Sequence, residues 1–512
     1  MHEETELKLR IPEGAAGSLR RSPVLSALKQ RRGFRRTLLT VYYDTPSLSL
    51  AKQGVSLRVR HMGSRKVQAV KLANGGGGGG AVVRRPEFET EIEGDRPEIA
   101  RITDADLRRL VTEAAGAEPL APAFVSEFGR TVWPVKLAES EIEVSLDQGE
   151  IRAGDDRAVP VSELELELKS GRPDRLIELA LELGKSLPLS VERHSKAERG
   201  FKLLTGRTDA PLRSTPVELD PGASLGDAFR ALARNCLLHL GGNEAAVRAG
   251  QAEGIHQMRV AARRLRALLG CFRDLIAPAV AEDLKGELRW LMAALEPARD
   301  LDVFIAETLE PIVERQGQDD GLDALFTAAR RAAQHARERA LASIAGPRYT
   351  QFLLRVDLWL ASGGWVAPGA DVAAPVRPLA QQMLRRRFRR LVRIGHGHEV
   401  LSVEELHLIR IEGKKMRYAA EFFRSLYSRK LARRYLARLS ALQDRLGTLN
   451  DAVTGRSLIE ELLPEAGLEP ASAARVLGLV TGWQAARIHA GLTAFPGEWD
   501  RFRQLRPFWS RG

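Results

Sequence analysis

The sequence predicts an α+β domain built around an antiparallel β-barrel, followed by an all-α helical-bundle domain that contains an internal duplication. Up to about residue 205, short strands separated by turns carry charged residues at every second position. After a linker, the chain becomes rich in Ala, Leu, Arg and Glu with helical spacing, and one segment recurs 151 residues later. We therefore divide the chain into a first domain at 1–205, a linker at 206–220 and a helical domain at 221–512.

Composition narrows the class of protein. With 512 residues, 44% of them hydrophobic and 28% charged, the chain is long enough for two or more globular domains. No apolar run is long enough to predict a membrane span, and two cysteines fit a reducing compartment, so we expect a cytoplasmic protein. The first 205 residues hold 33 basic and 31 acidic residues, and the remainder holds 45 and 35. This excess of positive charge in the helical domain suits a polyanionic partner.

Charge alternation is the main feature of the first domain. Residues two apart on a strand share a face, so each such stretch presents one charged face and one apolar face. If the strands close with the charged faces inward, the lumen can hold a metal–polyphosphate complex, with acidic side chains on the metal and basic ones on phosphate. The stretches are Glu4–Lys8, Arg58–Arg60, Glu87–Glu91, Glu141–Glu143 and Glu163–Lys169.

Further strands and helices are predicted around these stretches. The glycine run Gly75–Gly80 is expected to form a hairpin loop, and Asp104–Ala115 and Arg172–Ser186 are expected to be helices. Helices between antiparallel strands predict a barrel with helices on its outside. The expected strands are Val41–Tyr43, Val55–Arg60, Lys66–Leu72, Glu87–Ile92, Ser126–Val135, Glu141–Leu146 and Glu163–Lys169.

The duplicated segment carries a basic stripe in each copy. Residues at i, i+3, i+7 and i+10 share one helix face, which predicts a stripe in both copies. We expect the two stripes to face one another across a pseudo-two-fold axis with a polyanion between them, as one shared site. The histidines are expected to add charge at mildly acidic pH. The stripes are His256, Arg259, Arg263 and Arg266, then His407, Arg410, Lys414 and Arg417.

Short motifs follow one another in a fixed order along the first domain. They are Glu4-x-Glu6-x-Lys8, Tyr42-Tyr43-Asp44-Thr45-Pro46, Leu57-Arg58-Val59-Arg60, Val70-Lys71-Leu72, Arg85-Pro86-Glu87-Phe88-Glu89, Arg130, Asp147-Gln148-Gly149-Glu150, Glu165-Leu166-Glu167 and Ser195-Lys196. In this order they resemble the CYTH superfamily, the triphosphate tunnel metalloenzymes. The resemblance implies a tunnel of about eight antiparallel strands with charged residues inside.

Motifs of the helical domain resemble a second family. They are His256-x-x-Arg259-Val260-x-x-Arg263-Arg264-Leu265-Arg266, Arg299-Asp300-Leu301-Asp302, Leu442-Gln443-Asp444-Arg445-Leu446-Gly447 and Asn450-Asp451. They resemble the CHAD domain, which occurs beside CYTH domains and is associated with inorganic polyphosphate. The resemblance implies polyphosphate binding by His256, Arg259, Arg263, Arg264, Arg266, His407, Arg410, Lys414, Lys415 and Arg417.

The CYTH resemblance also implies a reaction, the metal-dependent hydrolysis of inorganic triphosphate to pyrophosphate and phosphate. Mg²⁺ or Mn²⁺ is expected on Glu4, Glu6, Asp147, Glu165 and Glu167. The substrate is expected on Lys8, Arg58, Arg60, Glu87, Arg130 and Lys196. Lys71 with Tyr42 is one candidate for deprotonating the attacking water, since a buried lysine among arginines would have a lowered pKa.

Three alternatives remain open. Thiamine triphosphatase or adenylate cyclase activity would use the same charged tunnel, and a non-catalytic polyphosphate-binding protein would lack metal-dependent turnover. Nucleic-acid binding by the helical domain is disfavoured, because the stripes offer few aromatic or amide side chains for reading bases. The expected location is the cytoplasm, with association to polyphosphate granules as a further expectation. The expected partners are inorganic triphosphate and polyphosphate, without a membrane.

Overall fold

The structure, a computed structural model, describes residues 2–72, 79–154, 156–317, 319–395 and 403–510. Most of the glycine run at 75–80, predicted as a hairpin loop, lies outside these residues. The chain divides into two compact units. The first unit is Met1–Asp209 with Ile344–Gly364, and the second is Ala210–Ser343 with Trp365–Gly512.

A closed antiparallel barrel forms the first unit. Its strands are β1 (His2–Arg10), β2 (Phe34–Asp44), β3 (Val55–Met62), β4 (Arg65–Leu72), β5 (Val82–Ile92), β6 (Ala121–Leu137), β7 (Ser140–Ala153) and β8 (Arg157–Ser170). They pair in the order β5-β4-β3-β2-β6-β7-β8-β1, and β1 also pairs with β5, which closes the sheet. A short strand, β9 (Ser190–Val191), pairs with β1 beside Leu9 and Arg10. The barrel predicted from the charge alternation is confirmed.

Helices occur in both units. Those up to residue 209 are α1 (Ala16–Arg20), α2 (Pro23–Leu28), α3 (Ser49–Lys52), α4 (Ala105–Ala115), α5 (Asp174–Leu183) and α6 (Lys196–Thr205). Those that follow are α7 (Leu225–Gly241), α8 (Glu244–Arg248), α9 (Ala252–Cys271), α10 (Pro278–Phe304), α11 (Glu310–Gln316), α12 (Asp320–Ala345), α13 (Pro347–Ser362), α14 (Val376–Ile394), α15 (Val403–Phe423), α16 (Arg429–Leu462) and α17 (Pro470–Arg503). Among the described residues, no helix is both long enough and apolar enough to cross a membrane.

The hydrophobic core of the first unit lies outside the barrel wall. Leu164 and Leu166 on β8 are buried against Leu176 and Ile177 of α5. The alternate residues of β8, such as Glu165, face the lumen. Burying each leucine contributes about 1.5–3 kcal/mol, and this gain favours the register that sends the charged residues inward.

Local signals fix the ends of the outer helices. Asp104 caps α4, because its side chain accepts a hydrogen bond from the Leu107 N–H at 3.0 Å. At the start of α6, Ser195 and Glu198 form a reciprocal capping box. Because Lys196 is the first residue of α6, this cap also sets the position at which the lysine enters the barrel.

Helix α13 belongs to the first unit, although the sequence analysis placed its residues in the helical domain. It packs against α5, and Leu354 joins the core outside the barrel wall. The Gln351 side-chain amide donates a hydrogen bond to the Leu181 carbonyl at 3.2 Å. Its apolar spacing is that of any amphipathic helix, so the sequence does not reveal which partner it covers.

The duplicated segments form α9 and α15 of the second unit, and these two helices pack against each other. The rings of Phe272 and Phe423, which are equivalent under the 151-residue offset, lie 6.0 Å apart. A contact between two equivalent residues is what a pseudo-two-fold axis produces. The contact is one that the pseudo-two-fold axis predicted from the repeat would produce.

Gly149, within the motif Asp147-Gln148-Gly149-Glu150, is expected to be required for the close pairing of β6 and β7. A Cβ at this position would lie 2.1 Å from the Glu127 carbonyl oxygen and 2.5 Å from the Phe128 Cα. We predict that Gly149→Ala destabilises the protein by about 1–3 kcal/mol, because backbone atoms of β6 must move. Hydrogen exchange of the β6 and β7 amides measures the loss within the first unit.

The matched control is Gly14→Ala, where a Cβ would meet nothing within 4 Å. It should leave the exchange rates of β6 and β7 unchanged. Equal behaviour of the two variants would contradict the prediction.

Candidate functional site

The barrel encloses a cavity of about 480 Å³ lined mainly by charged side chains. The acidic ones are Glu4, Glu6, Glu87, Glu89, Glu143, Glu165, Glu167 and Glu198. The basic ones are Lys8, Arg36, Arg58, Arg60, Lys71, Arg85, Arg130, Lys169 and Lys196. A lumen with both signs of charge can hold a polyanion together with a cation that accompanies it.

A buried network of ion pairs joins β6, β7, β8 and α6. Arg130 donates to both oxygens of Asp147 at 2.7 and 2.6 Å, and to Glu165 at 2.5 Å. Lys196 contacts Asp147 at 2.8 Å, Glu165 at 2.9 Å and Glu163. Arg130 and Asp147 are cross-strand partners, so the register of β6 against β7 places them together.

The pKa values of the groups in this network shift in different directions, according to the charges beside each group. Burial opposes ionisation of Glu165, but the charges of Lys196 and Arg130 outweigh it and hold the pKa of this carboxyl well below its usual range. For Glu163, burial raises the pKa in spite of Lys196. Burial would lower the pKa of Lys196, but the charges of Asp147, Glu163 and Glu165 raise it. Lys196 therefore stays protonated and Glu165 stays ionised at neutral pH.

A second group of ion pairs lies between β1, β3, β4 and β5. Lys71 contacts Glu4 at 2.5 Å and Glu87 at 3.0 Å, and Arg58 donates to Glu87 at 2.9 Å. Lys71 and Glu87 are cross-strand partners of β4 and β5. On β1, Lys8 contacts Glu6 at 2.8 Å. The predicted residues of these strands are thus brought together.

Three lumen arginines differ from these pairs. Among the described residues, Arg36, Arg60 and Arg85 make no ion pair with a carboxylate, and each has a buried Nε without a hydrogen-bond partner. Burial and the neighbouring charges of Arg58 and Arg130 lower the pKa of Arg60 to about 10. Guanidinium groups without carboxylate partners are suited to bind phosphate oxygens.

Lys71 and Tyr42 do not form the arrangement expected for a general base. Lys71 was predicted to act as a base because it would be buried among arginines. It instead lies between two carboxylates, those of Glu4 and Glu87. Tyr42 is buried and its ring stacks on Phe124 with 4.4 Å between the centroids. Both residues line the cavity, but no hydrogen bond joins Lys71 to Tyr42 within the part of the chain that the structure describes.

A divalent cation fits the predicted carboxylates unequally. The oxygens of Asp147, Glu163 and Glu165 lie within 4.8 Å of one another, but Lys196 contacts all three residues. Burial, followed by the charges of Glu4 and Glu143, raises the pKa of Glu167 despite its contact with Lys169. Hard carboxylate oxygens that repel one another suit Mg²⁺ or Mn²⁺. Glu4, Glu6 and Glu167 each contact one lysine, Lys71, Lys8 and Lys169 respectively, whereas Asp147 and Glu165 each contact both Arg130 and Lys196. A metal ion would therefore displace fewer cations from Glu4, Glu6 and Glu167 than from Asp147 and Glu165.

Several residues of the barrel site were not predicted from the sequence. Glu163 contacts both Lys196 and Arg199, the latter at 3.1 Å. It belongs to the same alternating run as Glu165 and Glu167, so the sequence signal was present. Arg85 and Glu143 lie within motifs that were recognised, whereas Arg36 has no such signal.

Charges of the two basic stripes of the second unit act on one another. Burial lowers the pKa of Arg410 on α15, and the charges of Arg263 and Arg259 on α9 lower it further, partly opposed by Asp451. Burial, Arg410 and Arg263 lower the pKa of Lys414 to about 7. Such mutual effects require the charges of α9 and α15 to lie close together.

Some predicted residues of the stripes are engaged elsewhere. Arg259 is buried and donates to Glu296 at 2.9 Å and to Asp300 at 3.3 Å. Arg264 is buried and contacts Asn235 and Glu421, at 3.2 and 3.4 Å. Lys415 contacts Glu412 at 2.7 Å, and Arg417 contacts Glu421 at 3.5 Å. The contacts of Arg259 and Arg264 join α9 to α7, α10 and α15, whereas those of Lys415 and Arg417 lie within α15.

The two histidines of the stripes differ in their exposure to solvent. Burial, followed by the charge of Arg299, lowers the pKa of His256 to about 4. His256 therefore does not add charge at mildly acidic pH, and that expectation is wrong for this residue. His407 and Arg266 are exposed.

Two family models match the chain. Residues 2–201 match the CYTH domain and residues 231–460 match the CHAD domain. The first match covers the strands of the barrel, and the second contains both basic stripes. The order of the two domains agrees with the sequence analysis.

Individual relatives match parts of the chain. An inorganic triphosphatase of Haemophilus influenzae is 37% identical over 164 residues, which are 32% of this chain and 44% of that protein. An uncharacterised protein of Mycobacterium tuberculosis is 27% identical over 179 residues, 34% of this chain and 35% of that protein. The chain thus spans less than half the length of these curated relatives.

A solved structure matches the helical part. The crystal structure of the CHAD domain from the plant Ricinus communis is 32% identical, covers 56% of this chain and 97% of that chain, and has a TM-score of 0.47. Both family models lie on the chain in the order barrel then helices. The chain belongs to the proteins in which a CYTH domain is followed by a CHAD domain.

Proposed function

We propose that the barrel hydrolyses inorganic triphosphate to pyrophosphate and phosphate with Mg²⁺ or Mn²⁺, and that the helical domain binds inorganic polyphosphate. The proposed triphosphatase activity rests on three arginines of the lumen. Among the described residues, Arg36, Arg60 and Arg85 make no ion pair with a carboxylate. Carboxylates such as Glu4 and Glu6 line the same cavity. The name of the Haemophilus influenzae relative, an inorganic triphosphatase, supports the same reaction.

The residues of the lumen have separate roles in this proposal. Arg58, Arg60 and Lys8 bind phosphate oxygens and neutralise the charge that moves to the leaving pyrophosphate. A metal ion on Glu4, Glu6 and Glu167, when bound, would polarise phosphate oxygens and activate water. Arg130 and Lys196 fix Glu165 through their ion pairs. We assign Lys71 to phosphate binding rather than to proton transfer, because two carboxylates hold it in the lumen.

The side chains that line the lumen also help to distinguish between the candidate substrates. A thiamine or adenine ring needs an apolar or aromatic surface, whereas most of this lumen consists of charged side chains. This favours a substrate that consists of phosphate alone. Phosphate release from tripolyphosphate, ATP, thiamine triphosphate and long polyphosphate, with and without metal, compares the candidate reactions. The absence of metal-dependent turnover on all four would favour a binding protein.

Glu4→Gln and Glu6→Gln should each abolish most of the hydrolysis of tripolyphosphate. An amide is a poor ligand for a hard cation, and even the loss of a supporting contact at a metal site costs about 10–100-fold. Phosphate release is measured over a range of Mg²⁺ and Mn²⁺ concentrations. Glu150→Gln is the control and should retain full activity, because this half-buried glutamate of β7 pairs with Arg152 and does not line the cavity. Full activity in a folded Glu4→Gln, Glu6→Gln double variant would exclude the assigned metal ligands.

Polyphosphate binding by the helical domain is supported by the two basic stripes. Arg263, Arg410 and Lys414 lie close enough for their charges to influence one another across α9 and α15. A polyanion between them would reduce this repulsion and would release counterions, so its binding should weaken with salt. Because one ligand would touch both helices, we propose one shared site.

Arg263→Gln on α9 and Arg410→Gln on α15 should each remove most of the affinity for polyphosphate. The double variant should lose little more affinity than either single variant. Residues that act on one ligand are coupled, whereas independent sites add. Isothermal titration of the full chain with long polyphosphate in EDTA, which suppresses hydrolysis, measures affinity and stoichiometry. Arg289→Gln, at an exposed position on α10 outside both stripes, is the control. Halved stoichiometry with unchanged affinity would show two separate sites.

Polyphosphate binding should strengthen as the pH falls from 8 to 6. Burial and the charges of Arg410 and Arg263, with that of Arg417, lower the pKa of Lys414 to about 7, although Asp451 opposes them. Lys414 therefore gains its proton in this range and adds a positive charge at the lower pH. Lys414→Arg remains charged throughout, so it should bind more tightly than the wild type at pH 8 and equally at pH 6. Equal affinity of both proteins at pH 8 would contradict this.

A further inference from the structure

A buried carboxylate holds the start of β5. Asp357 of α13 is 5% exposed, and its Oδ2 accepts a hydrogen bond from the Ala81 N–H at 2.6 Å. Gly80 lies directly beside it, and a Cβ there would be 2.5 Å from Oδ1 and 2.7 Å from Oδ2. The carboxylate reaches Ala81 because residue 80 has no side chain. Asp357 and α13 belong to the first unit, so this contact is internal to the barrel domain.

Strand β5 is the strand at which the barrel closes. It pairs with β4 on one side and with β1 on the other. In the β1 pairing, Glu4 is opposite Arg85 and Leu7 is opposite Val82. A slip of one residue would turn the lumen residues of β5 outward. The position of Glu87, which contacts Arg58 and Lys71, therefore depends on this register.

The connection from β4 to β5 does not carry the usual means of fixing a register. In hairpins the register is set by the turn type and loop length, and the turn type is selected by particular side chains. The sequence between these strands includes six consecutive glycines, Gly75–Gly80, which provide no side chain to select a turn. A contact from elsewhere in the chain can therefore add to the strand pairings in defining where β5 begins.

Packing fixes the helix that supplies this contact. Leu354 of α13 is 1% exposed and lies in the core outside the barrel wall, together with Ala81. Gln351 donates to the Leu181 carbonyl of α5 at 3.2 Å. These contacts anchor the turns of α13 that precede Asp357, and neither Gln351 nor Leu354 lines the lumen.

We propose that Asp357 is a positioning residue for the lumen. By binding Ala81 it fixes the start of β5 against β1, and so it sets the register that places Arg85 opposite Glu4 and directs Arg85 and Glu87 into the lumen. The barrel site thus depends on α13, which begins about 140 residues after the end of α6. The effect on turnover rests on the proposed triphosphatase activity, whereas the effect on β5 does not.

The experiment compares full-length Asp357→Ala, Asp357→Asn, Gly80→Ala and Gln351→Ala. Asp357→Ala removes the acceptor, and Gly80→Ala displaces the carboxylate while keeping it. Asp357→Asn retains a carbonyl oxygen that can accept from Ala81. Gln351→Ala is the matched control, because it removes a contact of α13 with α5 and leaves β5 untouched. The measurements are hydrogen exchange of the amides of residues 81–87 and the KM and kcat for tripolyphosphate.

Asp357→Ala and Gly80→Ala should accelerate amide exchange at residues 81–87 and raise the KM by about 10-fold or more, as expected for a lost hydrogen bond to a charged group. Asp357→Asn should stay within about threefold of the wild type, since a neutral acceptor restores most of the contact. Gln351→Ala should change neither quantity, even where it lowers the melting temperature.

Two results would overturn the proposal. One is equal exchange and equal KM in Asp357→Ala, Gly80→Ala and Gln351→Ala, which would make Asp357 a packing residue only. The other is failure of Asp357→Asn to restore what Asp357→Ala loses. If Asp357→Ala does not fold, Gly80→Ala and Asp357→Asn still decide between these outcomes. If the wild type hydrolyses no tested substrate, the proposed function fails and amide exchange alone tests the role of Asp357.

Discussion

Charge matching inside a closed barrel is the constraint on which the first unit depends. Successive side chains of a strand point to opposite faces, so burying Leu7 and Leu9 of β1 outside the wall places Glu6 and Lys8 inside it. A charge buried without a partner costs several kcal/mol, and removing one partner of a buried pair costs about 3–5 kcal/mol. The pairing of Arg130 with Asp147, which is 0% exposed, meets this requirement deep in the wall. The ion pairs thus permit the fold that the leucines stabilise.

The matching is incomplete in a way that favours anion binding. Arg60 lies near Arg58 and Arg130, and burial together with these two charges makes its positive form less stable than in water. A multivalent anion would relieve this repulsion without any rearrangement of the barrel, which is the meaning of a preorganised electrostatic site. The cost of holding the arginines together is met during folding by the hydrophobic layer outside the wall. Binding then gains interactions that the folded protein cannot provide for itself.

The sequence predicts the barrel and most of its lumen, because a period of two in charge leaves little freedom once the strands close. It does not predict which carboxylate meets which cation, since that depends on the register between strands distant in sequence, as with Lys71 and Glu4. The same limit applies to Arg259, where helical spacing predicts a surface stripe but Glu296 and Asp300 of α10 bind the side chain. For Asp357 the sequence contains no signal, because an aspartate in an amphipathic helix is ordinarily a solvent-exposed residue.

The second unit reaches a similar solution through duplication. Each copy supplies a cation from the first helix and an aspartate from the next, Arg259 with Asp300 and Arg410 with Asp451, at the common offset of 151 residues. Burial, followed by neighbouring charges that include Asp451 and Glu296, raises the pKa of Asp300, so carboxylates from both copies lie near the axis. A polyanion arriving at the stripes must therefore compete with these aspartates for the same arginines. Its affinity would be set by the difference between two sets of ion pairs, and a long polyanion would have the advantage because one chain could engage both copies.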